Sequence, residues 1–198
     1  MTEPKPPAQL QMVWPLRRLD APPAAHVPAG YGVRAYRPGD EARFYGLMAL
    51  AGWPGWDDAK LKPYLARTLP GAWFFAVQEE SDLIVASAMG IHDHSEQHPF
   101  GGELGWVAGD PAYAGKGLGR AACGAVTARL LSIGYRDIHL YTDDWRLPAI
   151  KTYLKLGYVP FLCGPDMPAR WQALCGQLGW PFTPECWPTW PRDGERDG

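Results

Sequence analysis

A run of alternating glycines at a strand-to-helix corner constrains this chain more than any other stretch. Residues 111–120 read Pro-Ala-Tyr-Ala-Gly-Lys-Gly-Leu-Gly-Arg, with Gly115, Gly117 and Gly119 at every second position. Glycine accepts positive φ and lets the backbone come close to a ligand. Upstream, Leu104, Trp106 and Val107 predict a strand that ends at Asp110-Pro111. Downstream, Ala122, Val126, Leu130 and Ile133 recur at helical spacing, and Gly134 is a stop signal. The corner therefore joins a strand to an amphipathic helix beginning near Gly117. A helix start offers unpaired N–H groups and the positive end of the helix dipole. Together they make an anion site, most often for phosphate. Lys116 and Arg120 add positive charge there.

The spacing excludes two other phosphate loops. A nucleoside triphosphate loop needs Gly-x-x-x-x-Gly-Lys-Ser/Thr, which the chain lacks. A dinucleotide fingerprint needs Gly-x-Gly-x-x-Gly, and Gly115-Lys116-Gly117-Leu118-Gly119 has the wrong period. After Gly134, residues 136–143 read as a strand with Ile138 and Leu140 alternating. Asp143, Asp144 and Pro148 are helix-start residues. Ile150, Tyr153 and Leu154 share one helical face, and Gly157 ends the helix before a strand at 158–162.

Residues 103–161 resemble the GCN5-related N-acetyltransferases, the GNAT family. That family's phosphate loop reads Arg/Gln-x-x-Gly-x-Gly/Ala, and Ala114, Gly115, Lys116, Gly117, Leu118 and Gly119 stand in its place. A second family pattern, Asn-x-x-Ala-x-x-x-Tyr-x-Lys-x-Gly-Phe, is matched by Arg146, Ala149, Tyr153, Lys155, Gly157 and Tyr158. The chain departs at Ala114, where the family has Arg or Gln, at Arg146, where it has Asn, and at Gly109, where a β-branched residue is common. Loss of the first side chain leaves main-chain N–H groups to hold the phosphate, with Arg146 as a replacement charge.

The resemblance implies an α/β protein of the GNAT fold. Its centre is a mixed, mostly antiparallel twisted sheet flanked by helices, with N- and C-terminal extensions. The predicted order is β-α-α-β-β-β-α-β-α-β. Residues 1–29, rich in Pro and Ala, are expected to be an extended arm. An acyl-CoA-binding domain is expected over 30–163, and a Trp/Pro-rich extension over 164–198. Within the domain, helices follow Asp40 and Asp57 or Asp58. Strands are expected at 31–36, 73–77 and 83–91, and a polar loop over 92–102. In the tail, Pro168–Leu174 reads as a short helix. Beyond Trp180 a non-regular segment is expected, with 192–198 disordered.

The 198 residues suit one domain with extensions. Nineteen basic and 21 acidic residues give no electrostatic reason to expect nucleic acid or an anionic membrane. No apolar run approaches the roughly 20 residues of a membrane span. Without an apolar leader core at the N-terminus, a cytoplasmic location is the default. Cys123, Cys163, Cys175 and Cys186 form no Cys-x-x-Cys pair, so reduced thiols are expected and neither a disulfide framework nor a metal site. Cys123 reads as a small buried residue. A homodimer is an open possibility for the arm.

By resemblance, the co-substrate is acetyl-CoA, its diphosphate on Gly115–Arg120 and its pantetheine along the backbone of Trp106, Val107, Ala108 and Gly109. The implied reaction is direct transfer of acetyl to a primary amine, of a small molecule or of a protein, in a ternary complex. Tyr153 is implied as the thiol's proton donor. Glu103 is implied as the base acting through water, with His92, Asp93 and His94 as rivals. The acceptor pocket in this family lies partly between the first two helices. That makes Trp53 and Trp56 candidate walls, with Asp57 and Asp58 either amine ligands or helix caps. A different reading is a non-catalytic acyl-CoA-binding sensor or interaction module, which the altered positions Ala114 and Arg146 favour and Tyr153 opposes.

Overall fold

The computed structural model describes residues 8–24 and 26–191. In chain order the strands are β1 (Leu10–Val13), β2 (Tyr31–Ala35), β3 (Thr68–Gln78), β4 (Leu83–Asp93), β5 (Gly101–Gly109), β6 (Asp137–Thr142) and β7 (Val159–Phe161). The helices are α1 (Glu41–Leu50), α2 (Asp58–Leu65), α3 (Leu118–Ser132), α4 (Leu147–Leu156) and α5 (Met167–Leu178). From β2 to β7 this is the order expected from the sequence. The chain divides into two compact units, Trp14–His139 and Met1–Val13 with Leu140–Gly198. That division falls elsewhere than the sequence boundaries at 30 and 163. Among the described residues, no helix is long and apolar enough to cross a membrane.

In the larger unit β2, β3, β4 and β5 are successive antiparallel neighbours, and β6 begins parallel to β5, giving a mixed sheet. Helix α3 covers one face. A Cβ at Gly90 of β4 would meet Ala72 Cβ at 2.9 Å and Val126 Cγ1 at 3.2 Å, so helix and sheet approach closely there. Helices α1 and α2 cover the other face through Phe44, Leu47, Met48 and Leu61, which pack with Trp73, Phe75, Met89 and Ile91. Phe44 is the hub. Its ring lies 4.9 Å from Trp73 and 5.1 Å from Trp56, both edge-on.

Local chemistry sets the helix starts. Asp57, rather than Asp58, caps α2, its carboxylate accepting from Lys60 N at 2.8 Å. Asp40 precedes α1 but its carboxylate turns elsewhere. It accepts from Arg34 Nη1 and Nη2 at 2.7 and 2.9 Å, and from Arg37 N at 2.8 Å. Arg34 also reaches Asp82 in the β3–β4 turn at 2.9 Å, which ties β2 to both neighbouring corners.

Several sequence expectations change. Strand β3 starts five residues before Trp73, because Pro70-Gly71 sit in a register jump between Thr68 and Trp73 rather than ending the strand. The loop expected over 92–102 is shorter, since His92 and Asp93 pair with Gly102 and Gly101. The arm contains a strand, because Leu10–Val13 finds an antiparallel partner in β7.

In the smaller unit β1 pairs antiparallel with β7, Gln11 opposite Phe161 and Val13 opposite Val159. Helix α5 runs to Leu178, longer than expected, and buries Trp171 completely. Arg170 on α5 is held by Asp144 at 2.5 Å. The tail is fixed by main-chain bonds, Leu162 N to Pro188 O at 2.9 Å and Trp190 N to Leu162 O at 3.1 Å, and by Trp187 against Trp171 at 6.2 Å. Residues 192–198, expected to be disordered, lie outside the described residues. Replacing Phe44 by Ala removes the ring that joins α1 to the sheet. It should lower stability by about 3–5 kcal/mol, read from the urea midpoint.

Candidate functional site

The corner after β5 has the form the sequence predicts. Asp110 Oδ1 accepts from Ala112 N at 2.8 Å and fixes a 3-10 turn over Pro111–Tyr113. Gly115 and Gly117 then take φ of 79° and 80°, a region costly for any side chain, and α3 begins at Leu118. Gly117 has no side chain to cap the helix, so the N–H groups of the first turn face outward without an intrahelical acceptor. A Cβ at Gly115 or Gly119 would meet nothing within 4 Å, so the space over the turn is open. Lys116 is held beside it. Its ammonium donates to Tyr31 OH at 2.8 Å and lies 5.0 Å from the Tyr113 ring centroid. Among its other expected contacts, Leu118 is buried, and Ala114 sits at the end of the 3-10 turn.

Strand β5 carries the second feature. Gly105 pairs with Met89 and Ala108 with Ser87, so Trp106 and Val107 together oppose one residue, Ala88. This is a β-bulge. Trp106 absorbs it with φ of 46°, which costs about 1–3 kcal/mol for a bulky residue. The bulge turns the Trp106 ring to the α1/α2 face, where it lies 4.6 Å from Trp56, 4.7 Å from Tyr64 and 6.3 Å from Trp53. Trp53 is half-buried at the edge of this group and Trp56 is 6 % exposed. The ladder to β6 spans only Gly101–Glu103. Among the described residues, Trp106–Gly109 carry ladder pairs on the β4 side alone.

Glu103 lies on that same face, opposite Ile91 of β4 and His139 of β6. Its carboxyl fits because its neighbours two positions away are glycines. A Cβ at Gly105 would stand 2.9 Å from Glu103 Oε1, and one at Gly101 would stand 2.5 Å from His139 Cε1. Burial first, and then the negative charge of Asp93, push the Glu103 carboxyl up to about 7, while Arg67 pulls against them. Asp93 is itself gripped by Arg67 and by His139 Nε2 at 3.3 Å. Of the three named rivals, Asp93 is thus held by Arg67 and His139, and the two histidines point elsewhere, His92 Nδ1 to Tyr135 OH at 2.9 Å and His94 Nδ1 to Pro99 O at 2.6 Å.

His98, Asp137 and His139 present three metal-type ligand atoms within 4.8 Å of one another. His98 and His139 are stacked at 3.7 Å and 7°, however, and His98 Nδ1 is bonded to Asp137 at 3.0 Å. Nitrogen lone pairs lie in the ring planes, and parallel planes do not converge on one ion. The arrangement is a hydrogen-bonded buried pair of imidazoles as folded. Burial lowers the proton affinity of His139.

In the smaller unit, Arg146 is the residue before α4, Ala149 lies in its first turn, and Tyr153 is 4 % exposed. The Arg146 guanidinium lies 5.5 Å from the ring centroid of Trp145. Tyr153 sits on the apolar face of α4 with the fully buried Ile150, and its ring meets Tyr158 edge-on at 6.5 Å. Sequence reasoning passed over Arg67, His139 and Tyr64. The one legible signal was the Gly-x-Glu-x-Gly spacing around Glu103, which on a strand puts all three on one face.

A profile of the acetyltransferase (GNAT) family matches residues 41–158. The chain belongs to the GNAT acetyltransferase family. Among solved structures it is similar to a GCN5-related N-acetyltransferase from Sphaerobacter thermophilus. The TM-score is 0.61 and the identity 24%, over 78% of this chain and 49% of that one. It is also similar to AAC(6')-Iy, solved in complex with the bisubstrate analogue CoA-S-monomethyl-acetylneamine. There the TM-score is 0.53 and the identity 20%, over 64% of this chain and 89% of that one. At these identities the likeness is one of fold. In sequence it is 30% identical over 175 residues to the mycothiol acetyltransferase of Actinosynnema mirum, covering 83% of this chain and 54% of that protein. It is 33% identical over 158 residues to the mycothiol acetyltransferase of Thermobispora bispora, covering 74% and 53%. The chain thus spans about half the length of the curated relatives it matches.

The raised Glu103 carboxyl has a consequence for stability. The folded chain holds this proton more tightly than the unfolded chain, whose value is near 4.5. Its contribution is therefore full below about 4.5 and lost as pH rises towards about 7. Glu103→Gln should remove that loss. Relative to the parent, the variant's urea midpoint should rise between pH 5 and pH 8, by the equivalent of about 1–3 kcal/mol.

Proposed function

We propose that the chain is an acetyl-CoA-dependent N-acetyltransferase acting on a primary amine of a small molecule. The observation that carries this reading is the open first turn of α3, with Gly115 and Gly117 in the left-handed region and the space above Gly119 empty of protein atoms. Its outward N–H groups and the helix dipole suit a diphosphate, and Lys116 and Arg120 add charge. The ladder-free edge of Trp106–Gly109 offers main-chain groups to the pantetheine amides. The small-molecule acceptor is favoured by the names of the relatives, mycothiol acetyltransferases, and by the aminoglycoside-like bisubstrate analogue in AAC(6')-Iy.

Three events make up the transfer. The acceptor amine must lose a proton, and Glu103, poised at about 7, takes it through a water. The neutral nitrogen then attacks the thioester carbonyl, forming the C–N bond, and the tetrahedral oxyanion collapses with cleavage of the C–S bond. The thiolate leaves as a thiol with a proton from Tyr153, and the cationic nitrogen of the new amide gives up its second proton, which restores the tyrosine. None of these steps calls on a metal. The proposal places the reaction in the cytoplasm, in keeping with four free cysteines.

Two variants separate binding from chemistry. Tyr153→Phe should lower kcat by about 10–100-fold with coenzyme A affinity unchanged, measured by thiol release and calorimetry. Undiminished turnover removes Tyr153 from the mechanism. Arg146→Ala should weaken coenzyme A binding by about 3–10-fold if the guanidinium replaces the missing loop charge. Unchanged affinity rejects that role. A chain that binds coenzyme A but releases no thiol with any amine would be a binding module instead.

A further inference from the structure

The aromatic group around Trp106 has a polar edge that still touches solvent. Trp14 and Trp73 spend their indole N–H groups on Arg18 O and Ser87 Oγ, each at 3.0 Å. The N–H of Trp56 is buried without a partner, sealed among Phe44, Tyr64 and Trp106. Trp106 is of neither kind. It is half-buried, and among the described residues its Nε1 has no hydrogen-bond partner yet keeps contact with solvent. The Tyr64 hydroxyl is in the same state, on a ring 4.7 Å from that of Trp106. Two neighbouring polar atoms are thus held on packed rings with only water to bond. Strained backbone persists where the surroundings enforce it, and it clusters at ligand sites. Here the strained turn at Trp106, with φ of 46°, is what delivers its ring to this face. Glu103 lies on the same face three residues earlier, about 10 Å along the strand.

Other candidates carry less. Trp171 Nε1 and Thr142 Oγ1, in the smaller unit, are buried out of a ligand's reach. The stacked His98 and His139 are fully buried as well. The carboxylates around the groove between α1 and α2 are already engaged, Asp58 by Tyr45 OH at 2.7 Å and Glu41 by Gly39 N at 2.7 Å.

We infer that the Tyr64 hydroxyl and the Trp106 indole N–H form a specificity subsite that holds an alcohol hydroxyl carried by the acceptor beside its reacting amine. This rests on the acetyltransferase reading and narrows its substrate class to hydroxyl-bearing primary amines. An indole N–H only donates, whereas a phenol both donates and accepts. An alcohol oxygen accepts from Trp106 while its proton goes to Tyr64, so all three groups are satisfied. A carboxylate would offer Tyr64 no proton and would share the face with the carboxyls of Glu103 and Asp93. An apolar amine would strip water from both atoms and return no hydrogen bond, which weakens its binding. A site built to hydrogen-bond a substrate discriminates against the analogue that lacks the group. Trp56 takes no direct part and serves as the inner ring against which Trp106 is held.

The test uses the whole chain with acetyl-CoA and follows thiol release. The amines are cyclohexylamine and the trans isomers of 2-, 3- and 4-aminocyclohexanol, which add one hydroxyl to the same ring. The best aminocyclohexanol should exceed cyclohexylamine by about tenfold in kcat/KM. Tyr64→Phe and Trp106→Phe each keep an aromatic ring and lose one polar atom, and each should reduce that preference to below about threefold. Tyr64→Phe removes a hydroxyl with no protein partner, so its urea midpoint should stay at the parent value. Should Trp106→Phe fail to fold, Tyr64→Phe alone decides. A preference that is absent from the parent, or that survives in either folded variant, overturns the inference, while thiol release itself leaves the acetyltransferase reading standing. If no amine releases thiol, that reading fails for these substrates, and the inference is decided by thermal shift with coenzyme A present. An aminocyclohexanol shift larger than that of cyclohexylamine and lost in Tyr64→Phe upholds it, and equal shifts or none overturn it.

Discussion

The face of β5 that looks towards α1 and α2 is shaped by absent side chains. Gly101 and Gly105 flank Glu103, and their missing Cβ atoms leave the room in which a carboxyl and an imidazole lie flat against the strand. A carboxyl largely removed from water is held near neutrality by the cost of charging it. Asp93 raises that cost further and Arg67 tempers it. The proton affinity of Glu103 thus follows from backbone shape first and neighbouring charge second. A side chain at Gly105 would collide with both the carboxyl and Ile91 Cδ1, each 2.9 Å from its Cβ, and force one of them to shift.

The same strand then changes character within three residues. The bulge at Trp106 ends the regular alternation and brings two consecutive positions of interest, Gly105 and Trp106, to bear on one face. A flat strand would send Trp106 towards α3. Its strain is sustained by the aromatic group around it, in which Trp56, Tyr64 and Trp53 all meet its ring edge-on. Further along, the chain leaves β5 through Asp110-Pro111 and enters α3 over Gly115 and Gly117. A largely buried carboxyl, a distorted backbone and a helix start therefore follow one another along a single stretch from 101 to 120. That ordering is a property of the chain.

Much of this was legible beforehand. The glycine corner, the helix after it and Gly157 at the end of α4 rest on local rules of φ and hydrogen bonding, and the structure has them where the residues demand. The helix cap at Asp57 could not be told from Asp58, because both residues offer the same atom and only the chain direction selects one. β1 was missed because an isolated four-residue segment, Leu-Gln-Met-Val, gains strand character only from its partner, β7. Pro70-Gly71 misled in the opposite sense, since a long antiparallel pair tolerates an irregularity that a lone strand would not.

The sequence by itself determined the family, the order of elements from β2 to β7 and the glycine corner at the start of α3, because these depend on residues close together in the chain. Tertiary structure alone decided the state of Glu103, the unmet N–H of Trp56 and the left-handed turn at Trp106. Each of these depends on what is missing around a group: water excluded by packing, an acceptor not supplied, a Cβ not present. Such absences are set by neighbours from distant segments, and the linear order of residues does not display them.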